Sequence, residues 1–353
     1  MLWRAPSLLV NQDLLRDHRL GPEHRLIAEH NARLIVISIG GALVVVTGLL
    51  YTARNYRLAH RGQVTERFTK ALERLGSDEL YVRIGGVHAL EHVMRDSPEH
   101  HGDVVEVLVA FVRGRAPRRR DEPVDQRQWM HPPIGTDTPK LSREPAADVQ
   151  AALTALAQRP KRANQERGEL DFHDLHLFGV NLHDADLRDA NLQGAVLVGA
   201  NLRCADLRGA VFWDAELHLA NLDDARLQNA WLSRAGLQGA SLEGAQLQGA
   251  TLRNAELQGA VLRGAQLQNA VLEHALLQSA CLDGAQLQEA LLDGAQLQGA
   301  RLESVQLQGA SLSGAQLQGA NLRNTTLTAE QLGSVDIDQR TLLSHRRVDT
   351  ADS

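Results

Sequence analysis

Residues 240–269 read ASLEGAQLQGATLRNAELQGAVLRGAQLQN and repeat one five-residue pattern six times. Each five begins with Ala, carries Leu at its third place, and has polar residues or Gly at most of the others. The same register extends outward in both directions, so that 32 fives run from residue 170 to residue 329. Thirty of them have Leu at the third place, and Phe172 and Phe212 fill the other two.

A period of five matches neither the 3.6-residue period of a helix nor the two-residue period of a flat strand. Ala and Leu, two residues apart, point the same way along a short extended segment, and the polar residues between and beside them point the other way. The fifth place is Gly in fifteen cases, and Gly turns the chain without steric cost. The pattern therefore predicts a coil with regularly repeated corners.

This A-x-L-x-G pattern resembles the pentapeptide-repeat family. The resemblance implies a right-handed quadrilateral β-helix with four fives per coil and with Leu and Ala inside. The fives of residues 170–329 would then form about eight coils, a rod of roughly 38 Å at about 4.8 Å per stacked strand. One coil cannot bury its own layer of Leu, whereas stacked coils bury a continuous column.

Length and composition indicate more than one folding unit, because the 353 residues fall into regions of different character. The net charge of −6 is unremarkable for this length. The two cysteines, Cys204 and Cys281, fall on outward places about four coils apart, or roughly 19 Å by strand spacing, which is too far for a disulfide. Free thiols suit a reducing compartment.

Residues 34–53, LIVISIGGALVVVTGLLYTA, carry no charge and have the length of a transmembrane helix. Tyr51 and Tyr56 lie where interfacial aromatic residues are found. A buried core helix is the alternative. Residues 1–33 are predicted to be a polar N-terminal tail. Arginines within fifteen residues number three before the run and four after it, so the protein is predicted to be a single-pass cell-membrane protein with a cytoplasmic repeat domain.

Between the apolar run and the repeats, residues 54–115 carry apolar stripes at helical spacing and are predicted to form a juxtamembrane helical region. This block resembles a segment that precedes the repeats in membrane-bound pentapeptide-repeat proteins of actinobacteria. Residues 116–146 are rich in Pro and Arg and are predicted to be a linker, and 147–168 a short capping helix and linker. Residues 330–353 are predicted to form a C-terminal cap and tail after the β-helix of 170–329.

Residues twenty apart should stack on one another if each coil has four fives. Glutamines then form three columns, whose amides are expected to hydrogen-bond along the axis as in Gln ladders. The columns are Gln228, Gln248, Gln268, Gln288 and Gln308; Gln238, Gln258, Gln278, Gln298 and Gln318; and Gln246, Gln266, Gln286 and Gln306.

One outward column is apolar and is the candidate interaction site. It consists of Val211, Trp231, Val271 and Leu291, with Trp213 beside the first two. A contiguous apolar stripe on a surface can mark a contact with a partner or a second copy. The alternative is that the protein's own linker, or the helix predicted over 148–158, covers this face.

Charge is uneven along the repeats, since residues 170–229 contain ten acidic residues and four arginines. Three histidines, His173, His176 and His183, lie in this acidic part, spread along surface columns, and no metal site is predicted from them. The run Arg118 to Arg120 in the linker is interpreted as solvated charge, with anionic lipid or nucleic acid as the alternative ligand.

The sequence contains no phosphate-binding loop, nucleophile elbow or metal signature, so no catalytic residue, cofactor or enzymatic activity is predicted. The function predicted is a membrane-anchored, non-catalytic protein-interaction or scaffold module, with an unknown protein partner or self-association. Some soluble members of the family imitate DNA and inhibit topoisomerases, which makes a DNA-mimicking inhibitor the alternative. Nucleic acid itself is not an expected partner.

Overall fold

The computed structural model describes residues 22–118, 145–160 and 170–343. Most of the predicted N-terminal tail and most of the predicted linker therefore lie outside the described residues, as does the end of the C-terminal tail. The chain divides into two units, Met1–Arg67 and Phe68–Ser353, which are described separately below.

The described part of the first unit belongs to one helix, α1, Pro22–Leu75. The stretch Ile37–Asn55 within it has a mean hydropathy of 1.5, none of it is buried, and it is long and apolar enough to cross a membrane. Two hydroxyls in this stretch donate to the preceding turn, Thr47 to the Leu43 carbonyl at 2.7 Å and Thr52 to the Gly48 carbonyl at 2.8 Å. Such bonds satisfy hydroxyls without water.

Helix α1 does not end where the apolar run was predicted to end, after residue 53. It continues to Leu75 and is followed by Gly76, a weak helix former. Residues 54–75, the start of the predicted juxtamembrane helical region, are therefore the last part of α1, and they contain no Pro and only one Gly.

Among the residues that the structure describes, three further helices precede the repeats in the second unit. They are α2 (Leu80–Asp96), α3 (His101–Arg115), which follows a 3₁₀ turn at Pro98–His100, and α4 (Ala147–Ala157). Helix α4 packs against both α2 and α3. The buried residues between them include Leu90, Leu108 and Leu153. Because each helix is short, the three depend on one another to bury their apolar faces.

A buried acid fixes the first turn of α4. Asp148 is fully buried and accepts a hydrogen bond from Nε of Arg83 at 2.6 Å. Nη2 of Arg115 lies 3.2 Å from the same oxygen of Asp148. A carboxylate at a helix N-terminus also interacts favourably with the helix dipole. The ion pairs therefore join α4 to α2 and α3.

Residues 170–328 form the predicted β-helix of about eight coils, and Ala329 begins the helix that follows. Parallel bridges join residues twenty apart along its length, as in Val211 with Trp231 and Leu291 with Ser311. The backbone pairing is regular: the N–H of Leu267 donates to Gln286 in the next coil at 2.7 Å, and that of Gln266 to Ala245 in the previous coil at 2.9 Å. The predicted fold, with Leu and Ala buried inside, is confirmed.

The four sides of the β-helix are named here faces A, B, C and D. Their first fives begin at residues 170, 175, 180 and 185, and each face repeats every twenty residues. Thirty-one of the 32 fives end in a left-handed residue, fifteen of them Gly and sixteen another residue type. Asp, Asn and Ser supply many of the latter, and Asp and Asn tolerate this conformation best among non-Gly residues. The corners are therefore as regular as the core.

The helical region contacts the first coil. Pro117 pairs with Leu175 in an antiparallel bridge, and the N–H of Arg118 donates to the Asp174 carbonyl at 2.9 Å. On the opposite side, Oε1 of Gln150 in α4 accepts from the N–H of Asn181 at 3.0 Å. The start of the predicted linker is therefore bound to the repeats, and the interpretation of Arg118 as solvated charge is wrong.

The last coil is covered by a short C-terminal segment. Helix α5, Ala329–Ser334, begins with a capping box between Thr328 and Gln331. The amide of Gln331 also donates to the carbonyls of Leu307 and Ala310, at 2.9 Å each. Strand β1, Asn321–Leu322, then pairs in parallel with β2, Leu342–Leu343. These contacts occupy backbone groups that the last coil would otherwise expose.

Candidate functional site

The apolar stripe occupies face A from the third coil onward. Consecutive bridges stack Val211, Trp231, Thr251, Val271 and Leu291 in one column. Trp231 and Leu291 are 47% and 38% exposed, and Trp213 beside them is 41% exposed. The column thus presents partly exposed apolar side chains and is interrupted by Thr251.

The two tryptophans form the centre of this surface. Their rings are 5.7 Å apart and meet edge to face at 82°. This is a favoured arrangement for an aromatic pair, because the positive edge of one ring lies against the negative face of the other. The backbone of Trp231 is fixed by bridges to Val211 and Thr251, and the carbonyl of Trp213 accepts from the N–H of Gly194 at 2.8 Å, so both rings stand on regular backbone.

Ion pairs border the stripe. Nε of Arg234 donates to Asp214 at 2.7 Å, beside the tryptophans. Further along face A, Arg253 pairs with Glu273. Apolar residues inside a polar border are the usual composition of a protein–protein interface.

The start of face A is covered by the helical region, but the stripe is not covered by α4. Arg113 of α3 lies 2.8 Å from Asp171 in the first coil of this face. Helix α4 bonds instead to Asn181 and Asp186, which belong to faces C and D. One of the two self-covering alternatives, coverage by this helix, is therefore wrong. The other falls on residues 119–144, which lie outside the described residues.

A small cavity interrupts face B beside the tryptophan pair, and the sequence analysis missed it. Its volume is about 120 Å³, and Glu216, His218, Gly236 and Glu256 contribute to its lining. Gly236 makes the space, since a Cβ at this position would lie 2.7 Å from Cε1 of His218. The available signal was Gly at the second place of a five, where the neighbouring coils carry Glu.

His218 lies buried in this cavity. It is 9% exposed, and neither ring nitrogen has a hydrogen-bond partner among the described residues. Burial lowers the pKa of His218, while the nearby carboxylates of Glu216 and Glu256 act in the opposite direction. Glu216 is itself held by Arg118, at 2.5 Å. The cavity is thus polar and adjoins the apolar stripe.

The acidic residues of the first coils are largely paired with arginines. Asp186 and Asp206 accept bidentate bonds from Arg188 and Arg208, at 2.7 to 2.9 Å. Burial raises the pKa of Asp206, but its bonds to Arg208 outweigh this and leave the pKa below its usual value. The acidic surface predicted for residues 170–229 is therefore mostly neutralised.

The glutamines form ladders on faces B and D, but the bonds run differently from the prediction. Gln248 donates to Gln266, Gln268 to Gln286 and Gln278 to Gln296, each at 2.6 Å. These partners are eighteen residues apart, so each bond joins two columns of one face diagonally. The prediction of bonds within a column is wrong, because an amide at the fourth place of a five reaches the second place of the next coil.

The three histidines of the acidic coils are predicted to be spread along surface columns, rather than converging with other possible metal ligands, and this is true of only some of them. His173 lies 2.6 Å from Asp171 on face A. His183 lies 2.9 Å from Asp184, and both approach Cys204 of the next coil. Because residues twenty apart stack on one another, the sequence alone places Cys204 above Asp184, and this proximity could have been predicted.

The comparisons with known proteins agree with the repeat geometry. A family model described as pentapeptide repeats matches residues 176–214, 220–259, 255–294 and 290–328. HetL, a pentapeptide repeat protein involved in heterocyst differentiation regulation from the cyanobacterium Nostoc sp. strain PCC 7120, is similar at 30% identity; the match covers 49% of this chain and 85% of HetL, with a TM-score of 0.31.

Two further solved structures are similar over the repeats. Another pentapeptide repeat protein from Nostoc PCC 7120 is 34% identical, over 32% of this chain and 84% of its own, with a TM-score of 0.20. QnrB1, a plasmid-mediated fluoroquinolone resistance protein, is 23% identical, over 48% and 90%, with a TM-score of 0.31. No curated protein sequence matches the chain significantly.

Proposed function

The chain belongs to the pentapeptide-repeat family, and we propose that it is a membrane-anchored, non-catalytic scaffold that binds a protein through the stripe on face A. The observation that carries this proposal is the exposed pair Trp213 and Trp231 at the head of a column that is apolar except at Thr251. Trp is enriched among residues that dominate binding energy at protein interfaces.

The other faces support the choice of face A. Glutamine ladders cover much of faces B and D, where the amide nitrogen of one glutamine donates to the amide oxygen of another in the next coil. An amide that already has a partner gains little from a new one, because binding must first break the existing bond. Burial of the apolar stripe against a partner is favourable, by about 25 cal/mol for each Å² of apolar surface removed from water.

The stretch Ile37–Asn55 is proposed to anchor the scaffold in the cell membrane, with the repeats in the cytoplasm. The excess of arginine after the apolar run supports this orientation. A membrane-impermeant maleimide tests it, because Cys204 and Cys281 both lie in the repeats and are partly exposed. Labelling is expected only after the cells are permeabilised, and labelling of intact cells would reverse the orientation.

The stripe is tested with the double variant Trp213→Ser, Trp231→Glu. Proteins cross-linked to the full chain in native membranes are compared with those cross-linked to wild type, together with the oligomeric state. Leu219→Glu is the matched control, because Leu219 is 54% exposed but lies on a corner of face B. We expect the double variant to lose the cross-linked protein and the control to retain it. Unchanged partners and an unchanged oligomeric state would refute the stripe.

The alternative, a DNA-mimicking inhibitor of a topoisomerase, needs unpaired negative charge along much of the rod. The pairing of Asp186, Asp206 and Glu216 with arginines argues against it. A supercoiling assay with micromolar protein separates the two proposals. We expect no inhibition, and inhibition that persists in the tryptophan double variant would favour DNA mimicry.

A further inference from the structure

We propose that His183, Asp184 and Cys204 form a binding site for one divalent transition-metal ion, at the corner between faces C and D. The possible ligand atoms of the three side chains all lie within 4.8 Å of one another. Nε2 of His183 lies 2.9 Å from Oδ2 of Asp184. The three residues are separate from the stripe on face A, so this proposal does not depend on the proposed function.

The repeat itself sets the spacing of two of the ligands. Asp184 and Cys204 occupy the same corner place in consecutive coils, and both have φ of 57°. Their Cα–Cβ bonds therefore point the same way, about 4.8 Å apart. Backbone bonds fix this geometry, since the N–H of Asp184 donates to Arg203 at 3.0 Å and that of Cys204 to Asp223 at 2.9 Å.

The donor set suits an ion such as Zn²⁺, which binds thiolate sulfur at about 2.3 Å and imidazole nitrogen or carboxylate oxygen at about 2.0–2.2 Å. At tetrahedral angles these bonds place sulfur and oxygen about 3.6 Å apart. Side-chain rotations that move the ligand atoms by roughly 1 Å would therefore bring them to bonding distance from one ion. Three protein ligands leave a fourth position for water or another donor. Soft sulfur and imidazole nitrogen together favour transition metals over Ca²⁺ and Mg²⁺.

The surrounding charges permit a cation. Asp184 contributes one negative charge, and Cys204 contributes a second once the metal displaces its proton. Asp224 occupies the same corner place one coil further on and lies 3.7 Å from Nη2 of Arg203. The positive charge of Arg203 is thus offset by Asp224. All three proposed ligands are exposed or partly exposed, so an ion can reach them from solvent.

Cobalt is the direct probe, because a thiolate bound to Co²⁺ gives a charge-transfer absorption. The full chain in detergent is titrated with Co²⁺, and we expect saturation of this band at one ion per chain. Cys204→Ser should abolish the band, whereas Cys281→Ser should retain it. Absence of the band in wild type, or its survival in Cys204→Ser, would overturn the proposal.

Alkylation gives a second, independent readout. With Zn²⁺ as the probe, peptide mapping should show Cys204 protected and Cys281 unprotected. Cys281 is the matched control because its neighbour Asp283, 3.6 Å away, is already paired with Arg301. His183→Ala should weaken the protection of Cys204 by roughly tenfold or more. Equal protection of both cysteines would mean non-specific binding and would overturn the proposal.

Discussion

The two halves of the β-helix, residues 170–249 and 250–329, share one interior and differ outside. The same Ala and Leu layers are buried in both. The first half carries the tryptophan pair, buried His218 and the cluster at Cys204. The second half carries most of the bonds between glutamines.

This difference shows that the fold restricts the identity of the inward side chains much more than that of the outward ones. The outward places accept any residue that tolerates the backbone. The regular Gln ladder is explained by the bonds that its side chains make from coil to coil. Departures from the pattern, such as Trp231 and Gly236, have no such structural explanation. We therefore place recognition at the start of the stripe, in the third and fourth coils.

The largest loss of stability is expected from a charged side chain placed in the shared interior. Leu267→Asp would bury an unpaired carboxylate at a fully buried position and cost several kcal/mol. We expect loss of cooperative thermal unfolding. Asn269→Asp is the control, since it introduces the same side chain at an exposed left-handed corner that Asp tolerates. If Leu267→Asp melts like wild type, the assignment of inward and outward places is wrong.

The second-largest effect is expected from loss of the contact between the first half and the helical region. Asp148→Ala would leave Arg83 buried without its partner, at a cost of about 3–5 kcal/mol. Hydrogen exchange should then become faster in α4 and the first coil and stay unchanged in the last four coils. Asp103→Ala is the control, because Asp103 is an exposed acid in the first turn of α3. Equal effects of the two variants would contradict the role of the buried pair.

The smallest expected effect is a pH dependence confined to the first half. Burial depresses the pKa of His218, so the unfolded chain takes up a proton as the pH falls through about 6.5 while the native protein does not. The free energy of unfolding should fall below that pH, by about 1.4 kcal/mol for each unit of pKa depression, and level off at the native pKa.

His218→Gln should reduce this loss of stability between about pH 8 and pH 5. The charged groups facing His218 are Glu216, Glu256 and the pair Asp214 and Arg234, and they are unchanged in the variant. His274→Gln is the control, since His274 is exposed on a corner. Identical pH profiles for wild type and His218→Gln would exclude a neutral buried His218.

The β-helix could be predicted because its period recurs without a slip, and the stripe because folding by twenty aligns Val211, Trp231 and Leu291. For the cavity, Gly236 in place of Glu was a visible departure from the pattern, but the space itself depends on the side-chain direction of His218, which the sequence does not give. The binding of Arg118 to the first three coils also escaped prediction, since an arginine in a Pro-rich segment carries no sign of its partner. Contacts between distant segments have no period to reveal them.

Site-specific photo-crosslinking tests the central claim, that the first half of face A recognises a protein. A photoreactive amino acid replaces Ser233 or Ser313, which occupy the same place of face A four coils apart. Each full-length variant is irradiated in intact cells. We predict a discrete protein adduct from position 233, beside the tryptophans, and none from position 313. Equal adducts from both positions, or none from either, would contradict the claim.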